Sequence, residues 1–269
     1  MIEIPRKSGM YELANFIGLE YNSDNVTNLG EIVESEELNL YHDQYENYFD
    51  GMLVYDRDEK EFHIHINTDK GNYPGSKRER FTLAHELGHF FINEHRIGLK
   101  EGYLNPHPSN FELRRNQQIE KEADCFAGSL LMPVSLFREF TKGKKFSLDL
   151  IKDISASFQT SILSSSLRFA EIGNHEIMVV FSKDNIVKWY RKSDDFPNMP
   201  FRFKVGQKLP PTSVAGEFFT KEDSKYTGVE KVSVQDWFFD NYNNYNMPMY
   251  EQCFYSDVYD YVISYIWFD

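Results

Sequence analysis

Apolar and polar residues alternate with a period of two through residues 62–66, and this pattern, with the strand-like run before it, marks the first clear elements of the chain. Gly51–Asp56 and Glu61–Asn67 read as strands, with Arg57-Asp58-Glu59-Lys60 as the polar turn of a β-hairpin. In the second strand Phe62, Ile64 and Ile66 alternate with His63 and His65, so the isoleucines belong to a core and the histidines to an open face. The period then lengthens. Phe81, Ala84, Gly88, Phe91 and Ile92 form the apolar stripe of a helix over 77–94, and Ile119, Ala123, Phe126, Ala127 and Leu130 that of a second over 116–131. Ser76-Lys77-Arg78-Glu79 has the capping-box order at the start of the first helix, and Met132-Pro133 ends the second. Between them, 98–110 is rich in Asn, Pro, Gly and His and is expected to be a loop.

Weaker patterns flank this centre. A helix is expected over 26–37, a Ser-rich helical zone over 146–173, and strands at 177–181 and 186–190. The end of the chain carries 13 aromatic residues between Trp237 and Phe268, with Tyr259, Tyr261, Ile263 and Tyr265 alternating with Val262, Ile266 and Phe268 as in a buried strand. Residues 241–249, biased to Asn and Tyr, read as a loop. Domain boundaries fall at 1–140, 141–175 and 176–269.

The 269 residues include 29 Lys and Arg against 42 Asp and Glu, a net charge of −13 that disfavours general binding to a phosphate backbone. Two cysteines, Cys125 and Cys253, are too few for a disulfide framework and suit a reducing compartment. The N-terminal segment has no uninterrupted apolar run of a signal peptide, and no stretch approaches the ~18 apolar residues of a membrane span. The expectation is a soluble, cytoplasmic protein with no membrane association.

The chemistry lies in His85-Glu86-Leu87-Gly88-His89, an H-E-x-x-H on the first long helix. Four residues are a little over one helical turn, so both imidazoles project from one face and can hold one ion. Glu86 sits about a third of a turn away, within reach of a water on that ion. The pattern arises by chance about once in fifty chains of this length. On the second helix Glu120 borders the apolar stripe and Asp124 follows one turn on. Glu120 is the candidate third ligand, and Asp124 a candidate acceptor from a ligand histidine. The alternative for Glu120, Glu122 and Asp124 is a solvated charged face. Cys125 points away and reads as a small buried hydrophobe.

Arg80-Phe81-Thr82-Leu83-Ala84-His85-Glu86-Leu87-Gly88-His89-Phe90, Glu120-x-Glu122-Ala123-Asp124-x-Phe126-Ala127 and Leu130-Leu131-Met132-Pro133 together resemble the ImmA/IrrE family of zinc metallopeptidases. A departure is Asp124, where the family commonly has Asn. The resemblance continues through Phe158-Gln159-Thr160-Ser161 to Leu167-Arg168-Phe169, which is similar to a helix-turn-helix-like segment. It implies Zn²⁺ held by His85, His89 and Glu120, with Glu86 as the catalytic base. It also implies an α+β fold: a zincin-like, gluzincin-type N-terminal domain with the HExxH helix and a small sheet, a helix-turn-helix-like middle, and an α/β or mostly β C-terminal domain for regulation or substrate recognition. An edge strand beside the active-site helix would hold an extended peptide, and 61–67 is the candidate. The implied substrate is a regulatory protein, a helix-turn-helix transcriptional repressor, cleaved in settings such as a stress response.

Other readings remain open. The segment 147–173 could bind DNA through Ser161, Ser164, Ser165, Ser166 and Arg168, making the protein a transcriptional regulator with a structural or vestigial metal site; the few basic residues there count against it. A deformylase-like zinc hydrolase ranks lower, since no cysteine precedes the motif. His95, Tyr103 and His107 are candidate oxyanion donors, with surface histidines as the simpler reading. For His63 and His65 an open strand face is favoured over a second metal site.

Overall fold

The structure, a computed structural model, describes residues 4–105, 118–220, 228–239, 247–256 and 260–268. The chain forms two compact units, Met1–Phe140 with Asp153–Ser164, and Thr141–Lys152 with Ser165–Asp269. Both combine helices with a sheet, so the protein is α+β.

The first unit opens with helix α1 (Ile4–Glu20), a short hairpin of β1 (Asn22–Ser23) and β2 (Val26–Thr27), and helix α2 (Leu29–Ser35). The expected helix over 26–37 is therefore shorter. Asp24 and Asn25 turn the hairpin in the left-handed region at φ 51° and 69°, drawing Val26 and Thr27 into a strand. Asn28 then caps α2, its side chain accepting from the Glu31 backbone N–H.

A three-stranded sheet follows, built from β3 (Asn39–Asp43), β4 (Gly51–Asp56) and β5 (Glu61–Asn67) in the order β3-β5-β4. The expected hairpin is present, with Gly51 opposite Ile66 and Asp56 opposite Glu61. The edge-strand expectation for 61–67 is corrected: β5 is central, with β3 parallel to it on one side and β4 antiparallel on the other. Its backbone groups serve two ladders, so the edge that faces α3 (Lys77–Phe91) is β4. β3, Asn-Leu-Tyr-His-Asp, lacks apolar alternation and gave no sign of itself. It also sets Tyr41 beside the histidines on the face that was expected to be open, where His63 and His65 are half-buried. Tyr41 stacks on His63 and His65 at 5.8 and 5.2 Å between ring centres, and His65 Nδ1 lies 2.8 Å from the Tyr45 hydroxyl.

A short 3₁₀ turn (Thr68–Lys70) leads to α3. The chain breaks at Ile92, extended at φ −75°, ψ 106°, and restarts as α4 (Asn93–Glu101), so the expected loop begins later than residue 98. Residues 106–117, which include His107 and the start of the expected second helix, lie outside the described residues. Then come α5 (Gln118–Leu131), α6 (Val134–Thr141), α7 (Leu148–Ser157) and α8 (Ile162–Ile172). Leu83, Leu87 and Phe90 of α3 share one core with Leu53, Ile64 and Ile66 of the sheet and Phe126, Ala127 and Leu130 of α5. Each such side chain contributes about 1.5–3 kcal/mol by leaving water. This core fixes α3 against the sheet and against α5, and so sets the site.

The second unit is built on a five-stranded antiparallel sheet. Its strands are β6 (Ile177–Lys183), β7 (Ile186–Lys192), β8 (Glu230–Val232), β9 (Met249–Ser256) and β10 (Tyr261–Phe268), in the order β7-β6-β10-β9-β8. Helices α9 (Val214–Thr220) and α10 (Val234–Trp237) accompany it. β6 and β10 are central and buried on both faces, so their sequences are almost continuously apolar. Met249, at the end of the expected loop, begins β9. On α8, Ser165, Ser166 and Arg168 are buried: the Ser166 hydroxyl is 2.7 Å from that of Tyr265, and Arg168 donates to Glu171 at 2.8 Å. Three of the five residues suggested for reading DNA are thus core residues.

Candidate metal centre

Helix α3 begins where the sequence places it. Ser76 accepts from the Glu79 backbone N–H at 3.1 Å. The reciprocal bond of a capping box is displaced by one residue, since Glu79 accepts from the Gly75 N–H and also faces His42 Nε2 at 3.2 Å. One turn on, Thr82 donates to Asn72, and Asn72 and Arg78 both donate to Asp50, just before β4. This buried polar tie holds the start of β4 against the helix.

His85 and His89 are each 2% exposed, and their Nε2 atoms converge at 3.1 Å. Glu120 meets them from α5, with one oxygen 3.3 Å from His85 Nε2 and the other 3.4 Å from His89 Nε2. These three side chains form a group able to hold a metal ion. The third donor arrives because α3 and α5 cross closely at Gly88. A Cβ on Gly88 would lie 3.2 Å from both Cα and the carbonyl oxygen of Ala123, so the smallest residue of the motif faces another small one. Any bulk there would lift the Glu120 carboxylate away from the histidines.

His85 presents its other nitrogen, Nδ1, to Asp124 at 2.9 Å. Burial pulls the His85 pKa down, but the bonds to Asp124 and Glu120 outweigh it and raise it from 6.5 to about 9. In the metal-free protein His85 thus keeps a proton on each ring nitrogen at neutral pH. Glu86 is 1% exposed and is not one of the converging donors. It lies against the start of β4: a Cβ on Gly51 would fall 2.8 Å from Glu86 Oε1 and 2.6 Å from Thr82 Cγ2. Glycine at position 51 lets the edge strand run against this carboxylate.

The sequence reading missed two participants. His95, read as a surface histidine, is 1% exposed, with Nδ1 3.2 Å from His89 Nδ1 and Nε2 3.0 Å from Glu122 Oε2. Glu122, grouped with a solvated face, is 2% exposed. Both carried a signal: Ile92, His95 and Leu99 are at helical spacing, as are Ile119, Glu122, Ala123 and Phe126. A charged residue on an apolar stripe marks a buried pair. Tyr103, by contrast, is 84% exposed. Cys125 is half-buried, in no disulfide, and lies outside the group. A second group, Asp56, Glu59 and His63 at the hairpin turn, brings its ligand atoms within 4.8 Å, but Glu59 is exposed there as turn acids commonly are.

Comparison with known proteins follows the same lines. Residues 55–166 match the family model Peptidase_M78, described as the IrrE N-terminal-like domain. The match supports the resemblance of this part of the chain to the ImmA/IrrE family, a peptidase family. The solved structure of a Mycobacterium tuberculosis transcriptional regulator is similar in fold, with a TM-score of 0.62 at 12% sequence identity, covering 97% of this chain and 76% of that one. No curated protein matches the chain significantly. Among the described residues no helix is long and apolar enough to cross a membrane.

Proposed function

We propose that the protein is a zinc-dependent endopeptidase of zincin-like architecture, with His85, His89 and Glu120 as the metal ligands. The observation that carries this reading is the convergence of His85 Nε2 and His89 Nε2, 3.1 Å apart, on the Glu120 carboxylate, whose two oxygens lie 3.3 and 3.4 Å from them. A tetrahedral zinc site with bonds of about 2.0–2.1 Å separates neighbouring ligand atoms by about 3.3 Å, leaving a fourth position open. The donor set, two imidazoles and a carboxylate, suits zinc as a borderline-soft ion. When bound, the ion supplies Lewis acidity and makes a water nucleophilic near neutral pH.

The chain's own residues supply the rest. Glu86, off the ligand set yet beside it, takes the proton of the attacking water and returns it to the departing amine. Asp124 holds the His85 ring with Nε2 bare toward the ion. β4 replaces 61–67 as the strand that aligns an extended peptide, because its outer edge is unpaired in the sheet and its first residue touches Glu86. The substrate, by the family resemblance, is a regulatory protein, a helix-turn-helix repressor.

The regulator reading draws support from the solved neighbour, which is described as a transcriptional regulator. The burial of Ser165, Ser166 and Arg168 counts against α8 as its DNA reader. Metal analysis separates the two readings when joined to three variants. About one zinc per chain, lost in His85→Ala and in Glu120→Ala but kept in Glu86→Gln, is the expected result. Glu86→Gln should lower hydrolysis by about 10²–10⁴-fold and retain bound substrate as a trap. A wild-type protein that takes up no stoichiometric zinc when supplied with it would overturn the proposal.

A further inference from the structure

We propose that His95 and Glu122 form a positioning relay that fixes the tautomer and ring orientation of His89, and so sets how tightly the site holds its ion. The inference rests on the metal reading above and adds to it two residues outside the ligand set.

The geometry is a continuous buried chain. From the proposed ligand atom His89 Nε2 it runs through the His89 ring to Nδ1, across 3.2 Å to His95 Nδ1, through that ring to Nε2, and across 3.0 Å to Glu122 Oε2. The other oxygen of Glu122 accepts from the Gln118 side chain at 3.0 Å. His89, His95 and Glu122 are exposed by only 2%, 1% and 2%, so solvent does not screen or replace these contacts. The helix break at Ile92 makes the arrangement possible: α3 stops, the chain turns, and the first turn of α4 brings His95 behind His89.

Proton bookkeeping gives the chain a direction. A nitrogen that binds a metal carries no proton, so a neutral His89 ligating through Nε2 holds its proton on Nδ1. That proton needs an acceptor, and His95 Nδ1 lies within hydrogen-bond distance of it at 3.2 Å. His95 must then be bare at Nδ1 and protonated at Nε2, where Glu122 accepts. The opposite direction would leave His89 with a proton on Nε2, aimed at the ion. The carboxylate of Glu122 therefore favours the metal-ready tautomer of a ring that it does not touch.

The two histidine ligands are thus backed differently from one helix. His85 meets Asp124 directly, a carboxylate 27% exposed, whereas His89 meets the buried Glu122 through an intervening imidazole. A core histidine that only fills space needs neither a nitrogen toward His89 nor a carboxylate behind it.

The test uses zinc alone, with affinity measured by competition against a chromophoric chelator on the full chain. Glu122→Gln and His95→Phe should each weaken zinc binding by about 10–100-fold, with His95→Gln between them and the wild type. Metal-free melting of Glu122→Gln should change little, and the absorption bands of the cobalt-substituted site should shift in both variants. Unchanged zinc affinity in folded Glu122→Gln and His95→Phe would overturn the relay. Nitrogen-15 spectra of the zinc-loaded wild type test it without any variant: protons on His89 Nδ1 and His95 Nε2 are expected, and a proton on His95 Nδ1 would overturn it. Failure of the wild type to bind zinc is a different result, which removes the metal reading itself.

Discussion

Each unit of the molecule buries an ionisable cluster, and the two clusters are built on opposite principles. In the second unit the Glu251 carboxylate is wholly buried and surrounded by donors. It accepts from the Trp237 indole at 2.8 Å and from the Val214 and Ala215 backbone N–H groups at 3.0 and 3.1 Å, at the start of α9. Burial raises its pKa against these bonds, yet its lone pairs are met by protons fixed in the fold. In the first unit the converging atoms are two imidazole nitrogens and two carboxylate oxygens, and the outer nitrogens are turned toward Asp124 and His95. Imidazole nitrogens and carboxylate oxygens that converge inside a protein need a shared proton or a metal ion between them. The donor-rich cluster is complete as folded and serves stability; the acceptor-rich one has the composition of a site.

The sharpest break in this comparison is Glu251→Leu. It strands the Trp237 indole, the Val214 and Ala215 N–H groups and the Cys253 thiol, and should destabilise the protein by about 3–5 kcal/mol while leaving zinc stoichiometry unchanged. In chelator-treated protein above pH 9, where His85 has lost its extra proton, Glu120→Leu should move the melting temperature far less. Equal losses in the two variants would show that the first cluster is structural too. Next in size is Gly88→Val. Its side chain would meet the backbone of Ala123, and overpacking should cost on the order of 3 kcal/mol and weaken zinc binding by prising Glu120 from the histidines. Full zinc affinity in a folded Gly88→Val would show that the close crossing does not set the site.

The acceptor-rich cluster was the more legible of the two, for a physical reason. Its residues follow helical periods on α3 and α5, so His85, His89, Glu120 and Asp124 could be placed on facing edges from spacing alone. What spacing lacks is the path of the chain between elements. β3 is short and polar and is created by pairing with β5, so neither the centrality of β5 nor the role of β4 as the edge beside α3 was visible. His95 went unread because the break at Ile92 hid that α4 turns back behind α3. In the second unit the apolar runs of β6 and β10 announced buried strands. The Glu251 network, drawn from α9, α10 and β9, joins residues with no common period. Local patterns reveal what one helix or strand presents, and not what tertiary pairing assembles.

The smallest expected effect is also the one that tests the protonation logic directly. His85 has its pKa raised from 6.5 to about 9 in the folded, metal-free protein. A group whose pKa is raised on folding contributes its full stability below the unfolded value and loses it as pH rises through the folded one. Metal-free protein should therefore lose stability between pH 6.5 and 9, on the order of 2 kcal/mol by pH 8 at 1.36 kcal/mol per unit. Zinc must displace the same proton, so its affinity should increase across that window. Melting curves with chelator and with saturating zinc should thus diverge as pH rises from 6.5. Burial also raises the Glu251 pKa, from 4.5, so its contribution falls with rising pH from a lower starting point, without reference to the metal. Parallel curves with and without zinc from pH 6.5 to 9 would mean that the proton on His85 and the ion do not compete for one place.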